Sequence, residues 1–205
     1  MPVPSVVVFD LGKVLVDFDY GISAERISRQ SRFSPAQVRD LLDHSPLLFR
    51  FETGLMSTKE FYGEVCAACG FSGSLDEFCA VFADIFSEIK PMTAMHAALR
   101  TNGVPTCIFS NTNDIATRHI RERFPFFSNF DGYVLSYQHG AMKPSAKIYE
   151  VVEQQTGQKG KAIVYLDDRL ENVEGGLSRG WQAILHETPE QTIAALLKLG
   201  LPVNP

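Results

Sequence analysis

The sequence lacks any apolar run long enough to cross a membrane, and it has no excess of basic residues. Its 205 residues carry a net charge of −5, which disfavours a broad electrostatic surface for nucleic acid. No charged start followed by a signal-like apolar core is visible. We therefore expect a cytoplasmic protein that binds neither nucleic acid nor a membrane. Its apolar fraction of 45% is sufficient for a sizeable core.

Cysteine is also scarce, with four residues at positions 66, 69, 79 and 107. Cys66 and Cys69 have the spacing of a redox or zinc motif, but no second pair or nearby histidine completes a zinc site. The pair lies in a stretch of helical periodicity, away from any predicted strand-to-helix turn. We predict free thiols that are buried on a helix.

Strand-like and helix-like segments alternate over most of the chain. The apolar, β-branched run Val6–Phe9 predicts a buried strand, and further strands are predicted over 105–109, 133–136, 162–166 and 183–185. Helical patterns follow these strands at 114–123, 145–155, 171–178 and 189–199. This alternation predicts an α/β fold, with a Rossmann-like parallel sheet and helices on both of its faces.

The segment 18–90 interrupts the alternation and has little strand character. Two capping-box patterns predict helix starts within it, one from Ser34 to Gln37 and one from Ser57 to Glu60. A third helical stripe runs from 75 to 89. We predict that this segment is an α-helical cap, inserted into a core domain formed by residues 1–17 and 91–205.

Several polar residues follow apolar runs, where the predicted strands or loops end: Asp10, Ser110, Asn111, Lys143, Asp167, Asp168 and Asn172. A lone Asp at a strand end is more often a turn residue or a helix cap. In a parallel α/β sheet, however, chemistry occurs at the carboxyl ends of the strands, so these residues are expected to meet.

Four stretches resemble motifs of the haloacid dehalogenase-like (HAD) hydrolase superfamily. They are Phe-Asp-Leu-Gly-Lys-Val-Leu-Val-Asp at 9–17, Phe-Ser-Asn at 109–111, Met-Lys-Pro-Ser-Ala-Lys-Ile-Tyr at 142–149, and Leu-Asp-Asp-Arg-Leu-Glu-Asn-Val at 166–173. The resemblance covers nearly the whole chain. It implies a Mg²⁺-dependent phosphatase of a small phosphorylated metabolite, in which Asp10 attacks phosphorus and forms an aspartyl-phosphate.

Elementary electrostatics supports that interpretation. A phosphomonoester is dianionic, so an attacking carboxylate needs positive charge to screen the repulsion. Lys143 supplies a cation that can pair with Asp10 and with the phosphoryl oxygens. The Ser110 hydroxyl and the amide at Asn111 can bind a phosphoryl oxygen.

The metal ligands are assigned through the resemblance. Asp10, the main-chain carbonyl of Gly12 and Asp168 are expected to hold Mg²⁺, which prefers oxygen ligands. Asp167 is expected to support this set without binding the ion. Asn172 stands where the family often has an acid, and it can orient a metal-bound water or Asp168.

Gly12 departs from the family pattern. Most phosphatases of the superfamily have a second acid there, which protonates the leaving group and then activates water. Its loss implies a slower enzyme, a substrate with a good leaving group, or a proton supplied from elsewhere. Asp-Leu-Gly-x-Val with Asp17 resembles the branch of the bacterial α-D-glucose-1-phosphate phosphatase, which makes a sugar phosphate one candidate. Lys13, where that branch usually has Asn, either strengthens phosphate binding or points away.

Other functions remain open at this point. In a 2-haloacid dehalogenase Asp10 would attack carbon without a metal, although Asp167 and Asp168 would then repel an anionic substrate. A catalytically weak HAD-fold binding or regulatory protein is the third possibility, because of Gly12. Residues 50–52, between two predicted cap helices, either contact a leaving group or have surface and packing roles. Both a monomer and a homodimer are compatible with the sequence.

Overall fold

The computed structural model describes residues 4–43 and 45–203, and it is organised around a five-stranded parallel sheet. The strands in chain order are β1 (Val6–Phe9), β2 (Val16–Phe18), β3 (Phe86–Glu88), β4 (Thr106–Ser110), β5 (Gly132–Leu135), β6 (Ile163–Asp167) and β7 (Gln182–Leu185). The large sheet has the order β5-β4-β1-β6-β7. In its centre Phe9 lies opposite Ile108 on β4 and Leu166 on β6.

Helices cover both faces of this sheet. Those that follow β3 are α6 (Lys90–Thr101), α7 (Asp114–Arg123), α8 (Ser136–His139), α9 (Ala146–Thr156), α10 (Leu170–Ser178) and α11 (Pro189–Lys198). Val7 and Phe9 point into one apolar cluster, while Val6 and Val8 point into another on the opposite face. Since side chains alternate along a strand, β1 is buried on both sides, and the predicted α/β class is confirmed.

The segment between the first strands and α6 is largely helical. It contains α1 (Tyr20–Ser28), α2 (Pro35–Asp43), α3 (Pro46–Glu52), α4 (Thr58–Cys69) and α5 (Leu75–Ala83). These helices enclose their own apolar cluster, which includes the stacked rings of Phe51 and Phe61. Both capping boxes form as predicted, at Ser34 and at Ser57. The domain limits at 17/18 and 90/91 remain an interpretation.

The prediction of one helix from 75 to 89 is wrong at its end. Helix α5 stops at Ala83, and β3 pairs antiparallel with β2, which places Phe86 opposite Phe18. The Arg26 side chain of α1 donates to the Asp84 backbone carbonyl at 2.8 Å. That carbonyl would have accepted a hydrogen bond within the helix if α5 had continued. Phe86 fits a helical stripe by spacing, but its strand partner is distant in sequence.

The cysteines are free thiols, as predicted. Cys66 and Cys69 both lie on α4, with Cys69 fully buried and Cys66 half-buried. Burial raises the pKa of the Cys69 thiol, which disfavours the reactive thiolate. Over residues 4–43 and 45–203 no helix combines the length and the apolar character that crossing a membrane requires.

The cap contacts the core tightly at Gly54, just after α3. A Cβ at this position would lie 2.0 Å from the Tyr137 carbonyl oxygen, and the backbone φ is +74°. Thr53 Oγ1 lies 3.0 Å from Met142 Sδ, and the Ser136 hydroxyl lies 2.5 Å from the Glu52 carbonyl oxygen. These contacts fix the end of α3 against α8 and the loop that follows α8.

Gly54→Ala is expected to destabilise the protein by more than Gly103→Ala. Both glycines have a left-handed φ, but a Cβ at Gly103 would meet nothing within 4 Å. The control should therefore lose about 1–2 kcal/mol of unfolding free energy from backbone strain alone. Gly54→Ala should lose roughly 1–3 kcal/mol more, because the added methyl group overlaps the Tyr137 backbone. Urea unfolding of both variants measures the difference, and equal losses would contradict the close approach.

Candidate active site

The polar strand-end residues meet in one cavity of about 270 Å³ between the sheet and the cap. Residues of both parts line it, and those that bear on its chemistry are Asp10, Gly12, Tyr20, Glu52, Ser110, Asn111, Lys143, Asp168, Arg169 and Asn172. The parallel strands β1, β4 and β6 all end at this edge of the sheet, which is why residues distant in sequence come together.

Lys143 is the buried cation of the site. Its Nζ lies 3.0 Å from Asp10 Oδ1, and it donates to Asp167 Oδ2 at 2.6 Å and to the Phe109 carbonyl at 2.9 Å. Burial lowers the pKa of Lys143, but Asp10 and Asp167 outweigh this effect and hold the pKa above its usual value. The lysine is therefore charged and fixed between the two carboxylates.

Both carboxylate oxygens of Asp167 accept hydrogen bonds from other groups of the protein. Oδ2 accepts from Lys143 and from the Tyr165 hydroxyl, while Oδ1 accepts from the Arg169 N–H at 2.9 Å and from Asn172 Nδ2 at 3.0 Å. Burial raises the pKa of Asp167, but Lys143 and these hydrogen bonds bring it below its usual value. Asp167 is fully buried and does not line the cavity. Its position suits a residue that orients Lys143.

Asn172 differs from the sequence-based expectation in its partner. Its amide donates to Asp167 rather than to Asp168, because α10 begins at Leu170 and places Asn172 below the end of β6. The backbone carbonyl of Asn172 accepts a hydrogen bond from the Tyr149 hydroxyl at 2.7 Å. Asn172 therefore holds the carboxylate of Asp167, which in turn orients Lys143.

Asp10 lies at the carboxyl end of β1 and lines the cavity. Its Oδ1 accepts from the Leu11 N–H at 2.7 Å. Burial raises the pKa of Asp10 to about 7; Lys143 opposes this shift and the negative charge of Asp167 adds to it. Asp10 is thus a buried carboxylate with its charge only partly compensated.

The residues around Asp10 fit a divalent cation. Carboxylate oxygens of Asp10, Asp167 and Asp168 lie within 4.8 Å of one another. Three acids face a single buried lysine, so the cluster retains negative charge, and its donors are the oxygens that Mg²⁺ prefers. Asp167 is engaged by other protein groups, whereas Asp10 and Asp168 line the cavity together with Gly12.

Ser110 is the last residue of β4, Asn111 follows it, and both line the cavity. Neither caps the next helix, since the N-cap of α7 is Asn113. The Asn111 side chain forms two hydrogen bonds with the Lys143 backbone: its Nδ2 donates to the carbonyl at 3.0 Å, and its Oδ1 accepts from the N–H at 2.8 Å. Asn111 thereby fixes the loop that carries Lys143.

Lys13 points toward Asp17. Its Nζ forms an ion pair with that carboxylate and donates to the Phe18 carbonyl at 2.9 Å, while its own φ is +59°. Asp17 is exposed and its pKa is lowered by the hydrogen bond from Lys13. Asp19 caps α1 by accepting from the Gly21 N–H at 2.7 Å. Asp17 and Asp19 thus stabilise the turn that leads from β2 into α1.

Residues 50–52 were expected between two helices, but they form the last turn of α3. Arg50 pairs with Glu64 at the surface, at 3.0 Å, and Phe51 is buried in the cap cluster. Glu52 lines the cavity, together with Leu48 one turn earlier on the same helix face. The spacing of four residues between Leu48 and Glu52 could have indicated from sequence that both side chains share one face. It does so only if residues 46–52 are recognised as a helix.

The chain is similar to known hydrolases. The family model of the haloacid dehalogenase-like hydrolases matches residues 4–180. The chain is 26% identical over 171 residues to the Sesquiterpene phosphatase astK of Aspergillus oryzae. That match covers 81% of this chain and 81% of that protein. It is 21% identical over 187 residues to the D-ribitol-5-phosphate phosphatase of Bacteroides thetaiotaomicron, covering 88% of this chain and 91% of that protein.

A solved structure has the same fold. It is a HAD family enzyme of Bacteroides thetaiotaomicron in complex with magnesium and inorganic phosphate. The TM-score is 0.79 at 21% identity, and the match covers 89% of this chain and 93% of that one.

Proposed function

This chain belongs to the haloacid dehalogenase-like hydrolase family, and from that premise we propose that it is a Mg²⁺-dependent phosphatase of a small phosphorylated metabolite. The observation that carries the proposal is the convergence of Asp10, Asp168 and buried Lys143 on one cavity beneath a cap. A carboxylate held beside a fixed cation suits attack on a phosphate dianion.

In the proposed reaction the positive charge of Lys143, whose Nζ lies 3.0 Å from Asp10 Oδ1, offsets the repulsion between Asp10 and the phosphate dianion. The Ser110 hydroxyl and the backbone at Asn111 bind phosphoryl oxygens. An Asp10 oxygen then forms a bond to phosphorus as the ester P–O bond breaks, which gives an aspartyl-phosphate. Water hydrolyses this intermediate, and the Asp10 carboxylate is regenerated.

Asp10, Asp168 and the Gly12 carbonyl are the residues proposed to hold Mg²⁺. When bound, this ion supplies positive charge that screens the phosphate from the carboxylates. Lys143, which Asp167 and Asn111 keep in position, supplies further positive charge next to Asp10. The cap helices exclude bulk water from the cavity and so strengthen these interactions.

The leaving group would lie toward the cap. Leu48, Phe86 and Ile120 add apolar groups to the lining of the cavity, while Tyr20, Glu52 and Arg169 add polar groups. This mixed lining is compatible with a sugar phosphate, the candidate from sequence, and with the phosphate of a small apolar alcohol. A screen that contains both classes, with Mg²⁺ present, discriminates between them by kcat/KM.

Removing the metal is expected to abolish most of the activity. We predict that phosphate release from p-nitrophenyl phosphate falls by about 10²-fold or more when EDTA replaces Mg²⁺, because the acids then repel the substrate. Colorimetric phosphate release measures this, and re-addition of Mg²⁺ restores the rate. Metal-independent halide release from a 2-haloacid would instead favour a dehalogenase. Release of neither product would favour a binding or regulatory role.

A further inference from the structure

We propose that Glu52 of the cap is the general acid that protonates the leaving-group oxygen, in place of the acid missing at position 12. The inference rests on the proposed phosphatase function and adds to it a catalytic residue from α3. Its basis is the position of Glu52 in the same cavity as Asp10, on the side where the leaving group would lie.

Position 12 cannot supply the proton. Gly12 has no side chain, and a Cβ there would lie 2.8 Å from Cε1 of the Phe18 ring. The Lys13 Nζ atom lies 4.8 Å from the centre of the Phe18 ring and helps to hold the ring in place. The space that a second acid would need next to Asp10 is thus occupied by an aromatic side chain.

Glu52 is held rigidly by contacts of its own backbone. The Ser136 hydroxyl lies 2.5 Å from the Glu52 carbonyl oxygen and accepts from the Thr112 N–H at 2.9 Å. Thr112 itself lines the cavity two residues after Ser110. The close approach at Gly54 fixes the following turn. The Ser136 hydroxyl therefore links the backbone of a cap residue to the loop that is proposed to bind phosphate.

The surroundings of Glu52 favour its protonated form. Burial raises its pKa to about 8, with a smaller contribution in the same direction from Asp10. Three groups oppose the shift: the Tyr20 hydroxyl at 3.5 Å, the Asn113 amide and the charge of Arg169. An acid that still carries its proton near neutral pH can donate it to an alkoxide.

The proton balance closes over one turnover. As the Asp10 oxygen bonds to phosphorus and the ester P–O bond breaks, the Glu52 proton goes to the departing oxygen and the alcohol leaves. Glu52 is then a carboxylate. A water oxygen attacks the aspartyl-phosphate, its proton goes to Glu52, and the Asp10–phosphorus bond breaks to release inorganic phosphate. Both residues return to their starting states.

The test compares esters that differ in their need for a proton. Glu52→Gln keeps the shape of the side chain and an acceptor for Tyr20, but it has no acidic proton. We expect kcat/KM for β-glycerol phosphate to fall by about 10²-fold or more, and that for p-nitrophenyl phosphate by less than about 5-fold. The nitrophenolate leaves as a stable anion, so it needs no acid. Phenyl phosphate should give an intermediate loss.

Two further variants sharpen the result. Glu64→Gln makes the same chemical change at an exposed cap residue that pairs with Arg50, and it should leave both rates unchanged. Glu52→Asp keeps an acid and should recover part of the rate on β-glycerol phosphate relative to Gln. Equal losses on all three esters in both Glu52 variants would overturn the assignment. If the wild type with Mg²⁺ hydrolyses none of the esters, the proposed function itself fails.

Discussion

Asp10→Asn should reduce phosphate release by about 10⁴-fold or more, because a neutral amide cannot form the proposed aspartyl-phosphate. The rate should fall for every ester regardless of its leaving group, unlike the selective loss expected at Glu52. Steady-state phosphate release with Mg²⁺ present measures this effect. Asp76→Asn, at an exposed position in the first turn of α5, is the matched control and should keep the wild-type rate.

The same substitution should not cost stability. Burial and the charge of Asp167 raise the pKa of Asp10 to about 7, so the ionised carboxylate is disfavoured in the folded protein. Asn removes that disfavoured charge while Lys143 keeps its bond to Asp167. We expect a melting temperature without Mg²⁺ at least equal to that of the wild type. A wild-type rate in Asp10→Asn would exclude Asp10 as the nucleophile.

Lys143→Met should be the most destabilising substitution in the site. Lys143 is buried and bonds to Asp167 at 2.6 Å, so an apolar replacement of similar size leaves a buried carboxylate without its cation. Breaking a buried pair in this way costs about 3–5 kcal/mol. Urea unfolding measures the loss, and the phosphatase rate should fall together with the stability.

A double variant separates charge from packing at this position. Lys143→Met combined with Asp167→Asn should regain much of the lost stability, since the amide removes the buried charge and keeps its size. Lys147→Met, at an exposed position in the first turn of α9, is the control and should change unfolding by less than about 0.5 kcal/mol. A stable Lys143→Met protein would contradict the pairing described here.

Much of the architecture followed from pattern alone. The apolar run Val6–Phe9 predicted the central strand, and the alternation of strands with helices predicted the parallel sheet. The motifs around Asp10, Lys143 and Asp167 identified the family, which the match over residues 4–180 confirms. The likeness to the glucose-1-phosphate phosphatase branch stays a prediction.

The sequence was less informative where long-range contacts decide local structure. Phe86 continues a helical stripe by spacing, yet it pairs with Phe18 in a two-stranded ribbon. Asn172 was expected to orient a metal-bound water or Asp168, and the structure shows its amide donating to Asp167. The ribbon was missed because Phe18 and Phe86 are distant in sequence, which a local pattern does not encode. Asn172 and Asp167 are close in sequence, and the turn into α10 decides which carboxylate the amide meets.

The chemistry available to this protein was determined by the sequence itself: a strand-end carboxylate, a lysine before a proline, paired acids after another strand, and no acid at position 12. Side-chain type fixes which groups can carry a charge or a proton, and burial in the folded protein then sets the pKa of Asp10 and of Glu52. Only the tertiary structure decided that Glu52 enters the cavity and that Phe18 occupies the space beside Gly12. Such placements depend on how the cap helices pack against the sheet, and packing is a property of the whole folded chain.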